Sequence, residues 1–289
     1  MKLYFFGTSA AIPTKSRNLP SIGIVYDDGS QIILDAGEDL QRRFEQHLKF
    51  NQPLVILISH LHGDHVIGLP GLLFHFSLIH RERGLIIIGP RGLFGYLMIH
   101  KYFIGLKGQF LSDIYEFDKD CTKLFKYNFQ EDPQQKPEEI PINNGILYEN
   151  SKYLIRGIPM EHSMPTVGFR FEEKPRRGKF NPERAIELGI PRGPLWGKLQ
   201  SGEIIQYNNK TIDPVKEKII GKKRKGIVIS YSGDTKICPN LFKLAKDSDI
   251  FICESTYAHT LKDLALEKKH MTSVQAAQVA KDSNVKKLI

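Results

Sequence analysis

The chain has 289 residues, 41% hydrophobic and 25% charged, a composition that excludes a disordered or collagen-like chain and leaves room for a sizeable core. No apolar run approaches the ~20 residues needed to cross a bilayer, and the apolar start at residues 1–6 is too short for a secretory signal, so no membrane partner and a cytoplasmic location are expected. The net charge of +9 is concentrated in residues 170–225, where 15 Lys and Arg meet 7 Asp and Glu; such a block fits a polyanion partner or a solvated, mobile loop.

Short β-branched or aromatic runs predict strands over 3–6, 22–26 and 31–34, with Asp27-Asp28-Gly29-Ser30 as the turn between the last two. A helix follows over 38–49. The continuous apolar runs 54–58 and 85–88 predict buried strands, and the apolar stretch 66–79 between them a helix. Strands are expected over 151–158 and 166–171. From 172 to about 206 the periodicity fades into Pro, Gly and charge, which places an arm outside the core. Alternation then returns: a strand over 226–230, a helix over 240–246, a strand over 250–253, a helix over 272–282 with Thr272 as N-cap, and the start of a strand at 286–289. Strands and helices in both halves predict an α/β protein with two sheets packed face to face and helices outside. Cys121, Cys238 and Cys253 form no CxxC pair and read as buried, reduced thiols.

The chemistry concentrates in Ser59-His60-Leu61-His62-Gly63-Asp64-His65, directly after the strand 54–58. Four groups able to bind metal fall within six residues. His60 and His62 can turn toward one point, Asp64 and His65 toward a second, so the spacing fits two ions; imidazole with carboxylate suits Zn²⁺, with Mn²⁺ or Fe as alternatives. A two-metal site needs further ligands at other strand ends. His162 follows the strand 151–158, and Asp234 follows the strand 226–230 and can bridge both ions through its two oxygens. His47, His75, His80 and His100 lie on helix candidates and read as surface or packing residues; His259 stays open.

His60-x-His62-x-Asp64-His65, then His162, then Gly233-Asp234-Thr235 resembles the metallo-β-lactamase superfamily. Three more features are similar to its tRNase Z family: Gly7-Thr8-Ser9 followed by Pro13-Thr14-Lys15-Ser16-Arg17-Asn18; His270-Met271-Thr272-Ser273 with Glu254-Ser255-Thr256-Tyr257; and the basic arm with Gly193-Pro194-Leu195-Trp196-Gly197-Lys198. The resemblance implies a metallo-β-lactamase fold, a four-layer αββα sandwich built as one domain over 1–289 with a protruding flexible arm, or exosite, at 172–206. It implies two Zn²⁺ per subunit, a homodimer whose arm serves the partner subunit, and precursor tRNA as substrate, cut to release its 3′ trailer. Asp64 would orient the attacking water, and His270, held by Glu254, would protonate the leaving oxygen. Lys15, Arg17, Asn18, Gly193, Pro194 and Lys198 would contact the tRNA. Trp196 or Tyr207 would stack on the RNA or anchor the arm. The family's Thr-His-x-Ser-x-Arg segment would begin where this sequence stops, at Ile289, which leaves the second ion Asp64, His65 and Asp234 and predicts its weaker occupancy. Two other readings remain: a hydrolase of a small thioester, lactam or phosphodiester, which has no need of the basic arm, and an RNA-binding protein with a crippled metal site, which metal analysis would reveal.

Overall fold

A computed structural model describes residues 1–289, apart from the side chain of Ser112. The first strands are β1 (Lys2–Gly7), β2 (Ser21–Val25), β3 (Gln31–Leu34), β4 (Leu54–Leu57), β5 (Leu85–Pro90), β6 (Leu111–Phe117), β7 (Lys123–Asn128) and β8 (Glu138–Pro141). Then come β9 (Ile146–Glu149), β10 (Tyr153–Met160), β11 (Thr166–Glu173), β12 (Ile205–Tyr207), β13 (Lys210–Ile212), β14 (Val228–Tyr231) and β15 (Ile250–Ile252). The helices are α1 (Leu40–His47), α2 (Gly63–Val66), α3 (Gly68–Leu78), α4 (Leu93–Ile104), α5 (Pro182–Glu187), α6 (Pro194–Gln200), α7 (Pro239–Ala245), α8 (Lys262–Glu267) and α9 (Ser273–Asp282). None of them is long and apolar enough to cross a membrane. The chain divides into two compact units, one of residues Met1–Glu149, Leu154–Phe171 and Val228–Ile289, the other of Asn150–Tyr153 and Glu172–Ile227.

In the larger unit, β1 to β8 form one sheet in sequence order, parallel from β3 to β6 and antiparallel at its ends. The parallel strands are linked by crossovers carrying α1, α3 and α4. Right-handed crossovers advancing in one direction put all three helices on one face. The second sheet has the order β15-β14-β11-β10-β9.

Period-two alternation explains why β3 and β4 are apolar throughout. Ile33 of β3 and Leu54 and Ile56 of β4 point into the helix-side core with Leu69, Leu72, Phe76 and Leu97. Ile32, Leu34 and Leu57 point the other way, against Ile155, Phe169, Phe171 and Ile229 of the second sheet. Both faces are covered, so both need hydrophobic side chains. The outer face of the second sheet is covered by α7 and α9, whose Leu241, Leu244, Val279 and Ala280 pack with Met160 and Phe251. The layers are therefore helix, sheet, sheet, helix.

Local chemistry sets several boundaries. α9 starts at Ser273, where Thr272 and Gln275 form a reciprocal capping box, so the expected N-cap is in place. The apolar stretch 66–79 is two helices, with α3 starting at Gly68. A Cβ there would meet the Gly37 carbonyl oxygen at 1.9 Å, so glycine lets the helix touch the loop after β3. The end at 286–289 makes a single parallel bridge, Leu288 to Phe251, beside β15.

The smaller unit departs from the coreless arm expected over 172–206. It extends to Ile227 and has its own core of Ala185, Ile190, Leu199, Ile205, Ile212 and Ile219. Each of these residues comes from a different short element or turn, so no window of sequence shows a helical or strand period. Trp196 is an anchor of this core: its Nε1 donates to the Ile190 carbonyl at 3.1 Å and its ring packs on Phe180 at 5.2 Å.

Two positions on α3 separate core from surface. Leu72 is fully buried and Leu78 is 77% exposed. Leu72→Ala should cost about 2–5 kcal/mol in urea unfolding, and Leu78→Ala less than about 0.5 kcal/mol; equal losses would refute the assigned helix face.

Candidate metal centre

The strands of both sheets deliver their chemistry at their C-terminal ends. Asp35 follows β3, Ser59 to His65 follow β4, His162 follows β10, Asp234 follows β14 and Glu254 follows β15. Two donor clusters result: His60, His62, His162 and Asp234, and Asp64, His65 and Asp234, each with its ligating atoms within 4.8 Å of one another. Asp234 belongs to both. Asp234, Glu254 and His270 form a third group with the same spread. Gly233 makes the turn that aims Asp234, with φ +58° and Ser59 Cβ 3.2 Å from where its own Cβ would be.

The hydrogen bonds fix where each imidazole carries its proton. Asp35 is wholly buried and accepts from Ser59 N at 2.6 Å, Ser59 Oγ at 2.8 Å, His65 Nδ1 at 2.7 Å and the Tyr231 hydroxyl at 2.6 Å. Ser59 spends its only hydroxyl proton on Asp35. His60 Nδ1, 2.9 Å from that hydroxyl oxygen, must then donate to it. His162 Nδ1 donates to the Lys269 carbonyl at 3.1 Å. Three rings therefore hold a proton at Nδ1 and turn a bare Nε2 inward.

Those inward atoms test whether a metal fits. His62 Nδ1 lies 3.0 Å from His60 Nε2 and 3.1 Å from His162 Nε2. Three lone-pair atoms meet at one point, and a single proton on His62 can serve only one of the other two. His65 Nε2 is buried without a hydrogen-bond partner among the described residues, 3.4 Å from Asp234 Oδ2 and 3.6 Å from Asp64 Oδ2. A divalent cation at each point satisfies every one of these atoms, so the residues fit two ions.

Charge balance agrees. Burial and the neighbouring His65 push the pKa of His60 down to about 2, and burial lowers that of His162. Burial also disfavours a charged His65, but the carboxylates of Asp35 and Asp234 outweigh it and raise its pKa well above the usual value. Burial would raise Asp234, but the His65 and His60 imidazoles hold it below the usual carboxylate range. The cluster demands positive charge, as a proton on His65 or as a cation.

Beside the cluster, Glu254 accepts from Thr235 N at 2.9 Å, Thr256 Oγ1 at 2.7 Å and Met271 N at 3.2 Å, and lies 2.9 Å from His270 Nδ1. Burial opposes a charged His270, but Glu254 raises its pKa. The His270 ring stands 4.9 Å from that of His162. The N-terminal loop joins the site through Ala11 N, which donates to Asp64 Oδ2 at 3.0 Å. Arg17 of this loop lines a cavity of about 600 Å³ with Asp64, His65, Asp234 and Glu254. Lys15 is exposed, and Asn18 is turned to Asp39 at 3.0 Å. Gly193, Pro194 and Lys198 lie in the smaller unit, at the start and in the body of α6. The other histidines stay away from the cluster: His47 stacks on Tyr4, His75 on Phe50, His100 bonds the Tyr96 carbonyl, His80 follows α3, and His259 meets Thr272. Cys121 and Cys238 are buried and Cys253 partly so, all three free.

The sequence reading missed Asp35, Ser59 and Tyr231. The signal for Asp35 was an acidic residue at the end of an otherwise apolar strand, Ile32-Ile33-Leu34-Asp35, a position where a carboxylate has to find several donors.

Comparison with known proteins fits this geometry. Residues 1–101 match the family described as Anti-Pycsar protein Apyc1. A Ribonuclease Z of Treponema denticola is 35% identical over the whole chain and 85% of the relative's length. The crystal structure of the short form of human tRNase Z has a TM-score of 0.66 at 21% identity and matches all of this chain and 91% of its own. The metallo-β-lactamase fold protein YhfI of Bacillus subtilis has a TM-score of 0.61 at 12% identity, over 99% of this chain and 83% of its own. With this fold, this cluster and that identity along its full length, the chain belongs to the ribonuclease Z family.

Proposed function

We propose that the protein is a metal-dependent endoribonuclease that removes the 3′ trailer from precursor tRNA, leaving a 3′ hydroxyl on the tRNA and a 5′ phosphate on the trailer. The observation that carries this reading is the inward convergence of bare ring nitrogens beside the shared Asp234, in a chain of the ribonuclease Z family. His60, His62, His162 and Asp234 would hold one ion, and Asp64, His65 and Asp234 a second. Zn²⁺ suits this donor set, with Mn²⁺ the alternative. Such ions, when bound, acidify water and neutralise charge developing on a phosphodiester.

The protein's own groups do the rest. Asp64, steadied by Ala11 N, orients the attacking water and takes its proton. The water oxygen bonds to phosphorus as the bond to the 3′ oxygen breaks, and the electron pair leaves on that oxygen. His270 protonates it, with Glu254 fixing Nδ1 so that Nε2 is the donating atom. Glu254 also keeps the imidazolium, the form able to give a proton, populated to higher pH than an isolated histidine would.

Lys15, Arg17 and Asn18 would contact the RNA near the cut. The smaller unit would act as the exosite, with Gly193, Pro194 and Lys198 contacting the tRNA body by charge and shape. Leu78, Ile79, Ile99, Tyr102, Phe103 and Ile104, at or just past the ends of α3 and α4, are exposed apolar residues that suit a subunit interface in a cytoplasmic homodimer.

Incubation with a precursor tRNA and Zn²⁺ or Mn²⁺, with the cut site mapped, tests the whole reading. Cleavage directly after the discriminator nucleotide is expected; binding without cleavage would leave an RNA-binding protein, and no binding a small-substrate hydrolase. His270→Ala should retain metal and lose cleavage by about 10²–10⁴-fold; full activity would remove His270 from its role. Asp35→Asn should weaken metal binding about 10–100-fold in chelator competition, with the thermal midpoint recorded separately; unchanged affinity would show that Asp35 does not set the imidazole tautomers.

A further inference from the structure

A second, smaller cavity of about 180 Å³ borders the same cluster in the larger unit. Its walls include Leu61, between His60 and His62, and Met164, two residues past His162; Phe117 and Val167 form its buried floor. Its two cations are Arg91 and Lys119. Arg91 is held in place by the Tyr127 hydroxyl at 2.9 Å, Glu116 at 3.3 Å and the face of Phe125 at 4.1 Å, with half of its side chain still exposed. Lys119 is exposed and has no ion pair among the described residues. Neighbouring Asp118 turns its carboxylate to Thr122 N at 2.6 Å and Lys123 N at 3.0 Å, away from that role.

The two cavities share no lining residue. The larger one contains Glu254, the partner of His270, so on the reading proposed above the leaving ribose, and the tRNA it belongs to, occupies that side. The RNA beyond the cut needs another place. Sites for drug-sized ligands run to about 300–1,000 Å³, so the smaller cavity suits a single base. An apolar slot with cations beside it matches a nucleotide, whose base is flat and poorly hydrated on its faces and whose phosphate is anionic.

We propose that this slot seats the base of the first trailer nucleotide, with Lys119 and Arg91 on the next phosphate. This assignment rests on the endoribonuclease reading for its polarity, and it makes Met164, Val167 and Lys119 specificity-determining residues on the trailer side.

The test uses the metal-loaded protein and 5′-phosphorylated trinucleotides that carry either a base or an abasic sugar at the first position. The wild type should bind the abasic form on the order of tenfold more weakly. Met164→Trp, which fills the slot, should bring the intact trinucleotide to the abasic level. Lys119→Ala should weaken both forms about threefold. Equal affinity of the wild type for the two, or binding of neither, overturns the slot. Precursor tRNA cleavage reports on the function separately. A protein that processes the precursor but ignores the base loses the slot alone, and one that prefers the base but leaves the precursor intact keeps the slot and loses the tRNA reading.

Discussion

Everything in the site hangs on one buried carboxylate. Asp35 takes four donors, from the loop after β4, from β14 and from α2. A buried carboxylate is tolerated only when its oxygens are fully engaged, so these four groups are locked in place by the cost of leaving it unpaired. Their protons are thereby assigned. Ser59 has none left for His60, which must donate from Nδ1, and His65 must donate likewise. The inward nitrogens are bare because of a residue that touches no metal.

The architecture makes this possible. Parallel strands all end at the same edge of a sheet, so the loops after β3, β4 and β14 begin as neighbours. Face-to-face packing of the two sheets then brings both sets of ends to one rim. The apolar double-sided strands do two things at once: they exclude water from the sandwich, and they hold the strand ends rigidly enough for three ring nitrogens to stand about 3 Å apart. Such lone pairs repel one another unless a cation is shared, so the fold stores a local cost that metal binding removes.

How much of this was legible in the sequence follows from the range of each interaction. The helices and strands that cover the core were readable because their apolar period is local, as in β3, β4, α3 and α9. The clustered ligands His60, His62, Asp64 and His65 were readable for the same reason. His162 and Asp234 needed the first motif to give them meaning. Asp35 and Tyr231, 196 residues apart, meet only in the folded chain, and nothing local marks their contact. The core of the smaller unit was missed because Ala185, Leu199 and Ile219 come from separate short pieces, none long enough to show a period.

Charge is partitioned between the two units in a way that fits a long polyanionic substrate. The smaller unit has 15 Lys and Arg against 7 Asp and Glu, and the larger has 26 against 25. A catalytic cluster built to take cations has to be locally acidic, so it cannot also be the surface that attracts RNA. Screening limits each charge to about 8 Å at physiological salt. Attraction for the body of an RNA must then be carried by chain other than the chain that cuts it. A segment with a small core and many lysines serves that need: it has enough buried surface to hold a shape, and little else to do with its charge than meet phosphates.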